Sequence, residues 1–235
     1  MWGRSQQYLF LFVISAVISL VVAIAQPATA QITQATVTEI LDGNQVFVQG
    51  QQATVNQVAG QGQQVRTGSS RAGLRFSNGA AGRMRPNTSL VIGQCIQLQE
   101  GAIIANGPTN ACAGSVRAAT RGTTFIMEVE GEEKYKCQVL EGSLAMTTAS
   151  SDKEVIVEEG KQVEVEKNQI GEVRSISPEE ILAILNGSLF RGFTRELPGI
   201  GNLRQSLQRL YPNIQLPNLG IPIGIPIPRI PRLPF

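Results

Sequence analysis

The stretch that decides the fold runs from Val65 to Leu90 and reads VRTGSSRAGLRFSNGAAGRMRPNTSL. Apolar and polar residues alternate on both sides of Asn78-Gly79, a pair typical of a tight turn between antiparallel strands. The stretch holds five arginines and no acidic residue. It therefore predicts a β-hairpin with one strongly basic face.

The register of this hairpin depends on which residues each loop length would place on the core face. A two-residue turn at Asn78-Gly79 would pair Leu74 with Arg83 and put a charge in the core. A three-residue loop at 77–79 makes every core pair apolar or small: Phe76 with Ala80, Leu74 with Gly82, and Ala72 with Met84. Since a one-residue slip turns every side chain to the other face, we expect the three-residue loop, with Gly79 in the left-handed region.

The same register places four arginines on the opposite face of the hairpin: Arg71, Arg75, Arg83 and Arg85. One interpretation is a solvated outer face whose charge is balanced by acidic residues elsewhere. The other is a binding face for an anionic ligand or a protein partner, because guanidinium groups donate paired hydrogen bonds to carboxylates and phosphates. The sequence leaves both interpretations open.

The composition of the 235 residues excludes several classes of function. There is no histidine, which rules out Ser-His-Asp and Cys-His catalysis and zinc sites with histidine ligands. The net charge of +2 predicts no general attraction to nucleic acid. Fourteen acids lie between Glu128 and Glu180, but they alternate with apolar residues as on a solvated strand face. We expect a protein that is not an enzyme and uses no cofactor or metal.

Alternating apolar positions continue through the body of the chain and predict an all-β fold of antiparallel strands, arranged as a roll or sandwich. A first hairpin is expected from Thr36 to Val48, turning at Asp42-Gly43-Asn44. A further hairpin is expected from Thr120 to Leu140, turning at Gly131. Its core face would hold Phe125, Met127 and Val129 on one strand and Tyr135, Cys137 and Val139 on the other.

The three cysteines fall into two groups. Cys95 and Cys112 flank one predicted strand segment, and in an oxidising compartment a disulfide between them is the expected pairing. Cys137 alternates with Tyr135 and Val139, so we expect a buried thiol there. The alternative is that all three are reduced and serve as small apolar packing residues.

The N-terminus, residues 1–30, has the pattern of a secretory signal peptide. Arg4 precedes an apolar run from Tyr8 to Ala25, and the small residues Ala28-Thr29-Ala30 predict cleavage before Gln31. The alternative is an uncleaved inner-membrane anchor formed by residues 8–25. Both alternatives predict that the rest of the chain is exported to the periplasm or the cell surface.

Seven short motifs follow one another through the body: Val65-Arg66-Thr67-Gly68, Leu74-Arg75-Phe76-Ser77-Asn78-Gly79, Pro86-Asn87-Thr88-Ser89-Leu90, Leu98-Gln99-Glu100-Gly101, Thr120-Arg121-Gly122-Thr123-Thr124-Phe125, Val139-Leu140-Glu141-Gly142 and Glu159-Gly160-Lys161. In this order they resemble the FecR-type domain of bacterial ferric-citrate regulators and their exported relatives, over residues from about Thr36 to Val173. The paired cysteines and Gln-rich strands look like those of cyanobacterial versions. The resemblance implies an exported, non-enzymatic all-β domain that senses or scaffolds through protein contacts.

Regulators of that family carry a cytoplasmic anti-sigma segment before a membrane helix, whereas seven residues precede the apolar run here. The resemblance therefore implies a stand-alone exported version, with an unidentified envelope protein as partner and no contact with the membrane beyond the signal or anchor segment.

The C-terminal part predicts a helical segment over residues 176–211 and a Pro-rich, disordered tail over residues 212–235. Ser177 as N-cap, Pro178 at the first position and two acids in the first turn indicate a helix start, and Asn186-Gly187 its end. A second helix is possible from Asn202 to Leu210. With the signal peptide (1–30) and the β domain (31–175), this gives four regions. The expected function is a binding or sensor module of the cell envelope; the alternative is a structural or surface-assembly component anchored through the tail.

Overall fold

The computed structural model describes residues 31–120, 122–217 and 219. The predicted signal or anchor segment and the tail from residue 220 onward lie outside the described residues. Within them the chain forms two helices, α1 (Pro178–Leu185) and α2 (Ile200–Leu210). The strands, β1 to β18 in chain order, are Gln34–Leu41, Val46–Val48, Gln51–Gln52, Val58–Gly60, Gln64–Thr67, Arg71–Phe76, Ala81–Met84, Ser89–Val91, Ile96–Gly107, Asn110–Ala113, Val116–Thr120, Thr123–Gly131, Lys134–Glu141, Ser143–Thr148, Ser151–Glu158, Lys161–Glu166, Gln169–Ile170 and Arg174–Ser175.

The strands form two sheets that share the long strand β9. Sheet A has the order β4-β1-β6-β7-β9-β12-β13-β16, with the short β17 and β18 paired to β16. Sheet B has the order β3-β2-β5-β8-β9-β10-β11-β14-β15. The first half of β9 pairs in sheet B and its second half in sheet A. These pairings are antiparallel except that of β9 with β10, which is parallel. The all-β fold expected from the alternating pattern is confirmed.

Strand β9 passes from one sheet to the other at Gly101, which has φ 79°. A Cβ added there would lie 2.5 Å from the Asn87 carbonyl oxygen, closer than real Cβ contacts allow. Only glycine combines this left-handed conformation with so close an approach of two backbones.

The main core lies between the inner faces of the two sheets. Because side chains alternate along each strand, every second residue points into this space. Phe76, Phe125 and Met127 enter from sheet A, whereas Leu90 and Ile96 enter from sheet B, and all five are buried. Both sheets therefore bury one face against the other, as in a sandwich.

The hairpin formed by β6 and β7 has the register derived from the sequence. Ala72 pairs with Met84 and Leu74 with Gly82. The Phe76 amide donates to the Ala80 carbonyl oxygen over 2.9 Å, which closes a three-residue loop. Gly79 has φ 87°, the left-handed conformation that this loop requires. The hairpin expected from Thr120 to Leu140 is also present, with Met127 opposite Cys137.

The prediction of a hairpin from Thr36 to Val48 is wrong. Both strands exist, but β1 pairs with β4 and β6 in sheet A, whereas β2 pairs with β3 and β5 in sheet B. The turn after Leu41 carries the chain across the core from one sheet to the other. Val37 and Val46 are thus both buried, on opposite sides of the same core.

The cysteines are placed as the pairing argument expected. Cys95 and Cys112 form a disulfide with a Cα–Cα distance of 5.8 Å. Cys137 is a free, fully buried thiol in the main core. Burial in apolar surroundings raises the pKa of this thiol to about 12, so it stays protonated.

A second core covers the outer face of sheet A. Five apolar residues of the sheet pack against the C-terminal helices and the loop between them: Ala81, Ala102, Ile104, Ile126 and Leu140. Ile181 and Leu185 of α1 and Leu203 and Leu207 of α2 complete it. The helical segment is therefore a third layer on the sheets. Among the described residues, no helix is long and apolar enough to span a membrane.

Helix α1 begins as its sequence predicts. The Ser177 hydroxyl accepts from the Glu180 amide, and the Glu180 carboxylate accepts from the Ser177 amide over 2.8 Å, which completes a capping box. Gln162 on β16 donates to both oxygens of Glu180 at 2.9 Å. These bonds tie the first turn of the helix to sheet A.

The start of the tail belongs to the packed body. Ile214 and Leu216 pack against the second core, and Leu219 is only 1% exposed. The packed part of the chain thus continues past the boundary expected at residue 211, because these apolar side chains contact the second core.

Candidate functional site

The four predicted binding arginines do not form one open patch. Arg71 is half-buried, Arg83 is 2% exposed, and Arg85 forms an ion pair with Glu128. Arg75 alone among the four is exposed. The interpretation as a solvated outer face is therefore wrong for Arg83, because the third layer packs on this side of the hairpin.

Three charged side chains of sheet A hold the loop between the helices, and we call Arg71, Arg83 and Glu39 the clamp. The clamped loop is residues 188–197. Arg71 donates from Nη1 to the Ser188 carbonyl oxygen over 2.7 Å, while its Nε donates to Asp42. Because the loop's own carbonyl groups have no strand partner there, the guanidinium groups supply the missing donors.

Arg83 holds the loop at two further carbonyl groups. Its Nη1 donates to the Leu189 oxygen over 3.2 Å and its Nη2 to the Arg195 oxygen over 2.8 Å. Burial lowers the pKa of Arg83 to about 10, whereas nearby Glu39 acts in the opposite direction. Arg83 therefore keeps its charge at neutral pH.

Glu39 satisfies the amide groups of the same loop. Its Oε1 accepts from both the amide and the hydroxyl of Thr194 at 2.9 Å, and its Oε2 accepts from the Arg195 amide at 3.3 Å. The carboxylate is buried, and these three donors compensate for its lost hydration.

Phe193 is the loop side chain that contacts both arginines of the clamp. Its buried ring lies 4.4 Å from the Arg83 guanidinium carbon and 5.4 Å from that of Arg71. Both distances suit a cation–π interaction. Apart from Phe193 and the Thr194 hydroxyl, the clamp's bonds to the loop are bonds to the main chain.

A pocket of about 320 Å³ opens beside the clamp, between the β6–β7 hairpin and the end of the clamped loop. Arg83 and Glu39 line its inner part, while Arg75, Arg195 and Glu196 lie at its exposed rim. Neither rim arginine forms an ion pair with any residue that the structure describes. The pocket thus combines one buried and two exposed cations with two carboxylates.

A larger depression, of about 680 Å³, lies near the turn at Gly131. The acids that line it, Glu100, Glu130, Glu132 and Glu133, are all exposed, and it holds no buried charge. Within the described part of the chain, no group of three or more Cys, Asp or Glu side chains is placed to bind a metal. The pocket beside the clamp is therefore the better candidate site.

Sequence reasoning found Arg71, Arg75 and Arg83 but missed Glu39 and the clamped loop. Glu39 is the last acid but one before the acid-free stretch, which alone does not indicate a partner 155 residues away. A signal did exist for the loop, since Phe193 is an aromatic residue in a basic segment next to a predicted helix. It could not show which face of the sheet the loop covers.

Three comparisons with known proteins were informative to different extents. A scan against protein-family models and a search of characterised proteins both found no match. Two crystal structures of provisionally assigned anti-sigma factors from Parabacteroides distasonis ATCC 8503 are similar. The first, at 1.65 Å resolution, has 14% identity and a TM-score of 0.43, and the match covers 60% of this chain and 71% of that one. The second, at 2.50 Å resolution, has 13% identity and a TM-score of 0.45 and covers 63% and 74%.

Proposed function

We propose that this chain is a non-catalytic, FecR-like sensor or binding module that is exported to the bacterial cell envelope and acts through protein contacts. The order of the seven motifs supports the family, and the apolar N-terminal run followed by small residues supports export. The Cys95–Cys112 disulfide fits an oxidising compartment.

One observation supports recognition at a defined surface. The clamp fixes the end of the loop against sheet A, so that Arg75 and Arg195 line the same pocket. Exposed like charges repel each other, although water and salt screen the repulsion. Since neither arginine pairs with a described acid, both can donate to an acidic group of a partner. The rim is therefore the surface that we assign to partner contact.

Site-specific photo-crosslinking in the native envelope tests this function. Glu196 is replaced by a photoreactive phenylalanine, because this position lines the rim without removing an arginine. The matched control carries the same residue at Arg117, which is exposed on β11 of sheet B. We expect a discrete protein adduct from position 196 that position 117 does not give. Identical adducts from both positions, or none from 196, would contradict partner contact at the rim.

The mass of the purified protein tests export separately. The mass of the protein purified from the envelope should correspond to a chain that begins at Gln31. A mass that retains Met1 would favour the inner-membrane anchor over a cleaved signal peptide.

A second candidate function is a structural component that is anchored through its tail. Eight of the twelve prolines lie between Pro198 and Pro234, in an apolar, arginine-bearing segment unlike a polar linker. Removing residues 220–235 separates the two functions. Loss of envelope localisation with an intact adduct at position 196 would favour anchoring as the role of the tail.

A further inference from the structure

We infer that the pocket beside the clamp binds a carboxylate group, held between Arg75, Arg83 and Arg195. The inference rests on the proposed function and deepens it, since it names the ligand chemistry of the same surface. Carboxylates match guanidinium groups in both charge and planar geometry.

The two hairpin arginines are spaced to hold one anion. Gly73 pairs with Arg83 and Arg75 pairs with Ala81, so Arg75 and Arg83 are diagonal neighbours on the same face of the hairpin. Such neighbours lie about 7–8 Å apart at the backbone, within reach of long side chains. A carboxylate between them can accept from Arg75 while it lies in the field of the buried Arg83.

Gly73 lets the Thr38 side chain approach the hairpin and close one side of the pocket. Gly73 lies on the outer face between the two arginines, and a Cβ there would come within 2.9 Å of the Thr38 hydroxyl oxygen. Thr38 and Gly73 both line the pocket. The Thr38 hydroxyl is therefore a boundary of the pocket beside Arg83.

The charges of the pocket favour an anion. The three arginines and two carboxylates that line the pocket leave it a net charge of +1. The oxygens of Glu39 already accept hydrogen bonds from Thr194 and Arg195. Arg83 donates to two uncharged carbonyl groups and forms no ion pair among the described residues, although nearby Glu39 offsets part of its charge. Glu196 is the remaining opposing charge, and it lies at the exposed rim.

The volume limits the ligand to a small group. Ligand pockets usually measure about 300–1,000 Å³, so about 320 Å³ is near the lower end. One small dicarboxylic acid fits this space, as does one acidic side chain of a partner protein. Both sources present the same carboxylate, and they are distinguished by the probes below.

NMR titration of the full exported chain with glutarate is the direct test. We expect the Arg75 and Arg83 side-chain NεH signals to shift with glutarate and to stay unchanged with glutaramide, which has the same shape without charge. The R75Q/R195Q double variant should weaken glutarate binding at least tenfold, because it removes both rim cations. E196Q should strengthen binding several-fold, because it removes the opposing charge.

R117Q on sheet B is the matched control, and its glutarate affinity should equal that of the wild type. Both rim arginines are exposed, so the double variant should also keep the wild-type melting temperature. Equal binding of glutarate and glutaramide, or wild-type affinity in R75Q/R195Q, would overturn the inference.

A second pair of probes distinguishes the source of the carboxylate. The peptide acetyl-Ala-Glu-Ala-amide is compared with its glutamine counterpart. Charge-dependent binding of the peptide tighter than that of glutarate supports an acidic partner side chain, whereas binding of glutarate alone supports a free small acid. A crosslink at position 196 without carboxylate binding overturns the carboxylate site alone. Carboxylate binding without a crosslink overturns partner contact alone.

Discussion

Arg83 shows how a buried charge can be stable without an ion pair to any residue that the structure describes. Its guanidinium lies over the Phe193 ring and donates to two carbonyl groups of the clamped loop. The three contacts replace the water that burial removes, and the charge of nearby Glu39 opposes the burial effect on its pKa. Arg83 thus acts through the position of the loop as well as through its own charge.

The R83M variant keeps most of the side-chain volume but removes both donors. We expect it to lower the free energy of unfolding by on the order of 2 kcal/mol, because two carbonyl groups lose their partner. Urea unfolding measures the change. The exposed Arg75 supplies the control, since R75Q should change stability by less than about 0.5 kcal/mol. Equal stability of R83M and the wild type would show that the bonds of Arg83 to the clamped loop contribute nothing.

Glu180 makes stability depend on pH in the acid range. Arg174, the Ser177 amide and Gln162 donate to its carboxylate and lower its pKa from 4.5 to about 2. A carboxyl group whose pKa is lowered by folding contributes stability above its unfolded pKa and loses it as the pH falls through the folded value. The contribution of Glu180 is therefore complete at neutral pH.

E180Q should accordingly be less stable than the wild type at pH 7, by on the order of 1 kcal/mol. The difference should shrink as the pH is lowered from 4.5 towards 2. Thermal unfolding of both proteins across this range measures it. E172Q is the control, because Glu172 is exposed and forms none of the described side-chain hydrogen bonds or ion pairs. A difference that stays constant down to pH 2 would contradict the role of the charge.

At the level of elements, the local sequence pattern predicted the conformation of each helix and hairpin better than it predicted which strands pair with each other. The β6–β7 hairpin and the start of α1 could be derived residue by residue, because loop geometry and caps are determined by neighbours in the sequence. The partners of β1 and β2 could not. Their alternating residues face the same core, and alternation alone does not distinguish two strands of one hairpin from two strands of opposite sheets.

The loop of the β6–β7 hairpin provides a clean test of backbone strain. G79A should cost about 1 kcal/mol, because an L-residue is strained at φ 87°. A Cβ there would meet no atom within 4 Å, so no clash adds to the effect. Gly131 is a matched control, since its Cβ position is equally free and its φ is not in the left-handed region. G131A should be neutral or slightly stabilising in urea unfolding, and similar losses in both variants would refute the interpretation.

For the whole molecule, the third layer explains why one segment of β9 is apolar on both faces. Residues 102–105 of β9 read Ala-Ile-Ile-Ala and are buried on both faces of sheet A. Such a continuous apolar run is typical of a strand that is covered on two sides. The signal was present in the sequence, but which segment provides the cover is decided by packing between residues about 80 positions apart.

Truncation tests the third layer as part of the fold. Removing residues 176–235 should expose Ile104, Ile126 and Leu140, and we expect aggregation and binding of a hydrophobic dye. The control truncation removes only residues 220–235 and keeps every described residue of the second core, so it should unfold at the wild-type temperature. A soluble, cooperatively folding 31–175 fragment would contradict the three-layer interpretation.

Strand β9 also has a consequence for the order in which the molecule opens. It pairs with β7, β8, β10 and β12, so neither sheet can separate without breaking its hydrogen bonds. Amide protons between Ala102 and Asn106 should therefore exchange with deuterium only through global unfolding, and more slowly than those of the edge strand β15. Strand β9 would then be the last described element of the protein to lose its protection against hydrogen exchange.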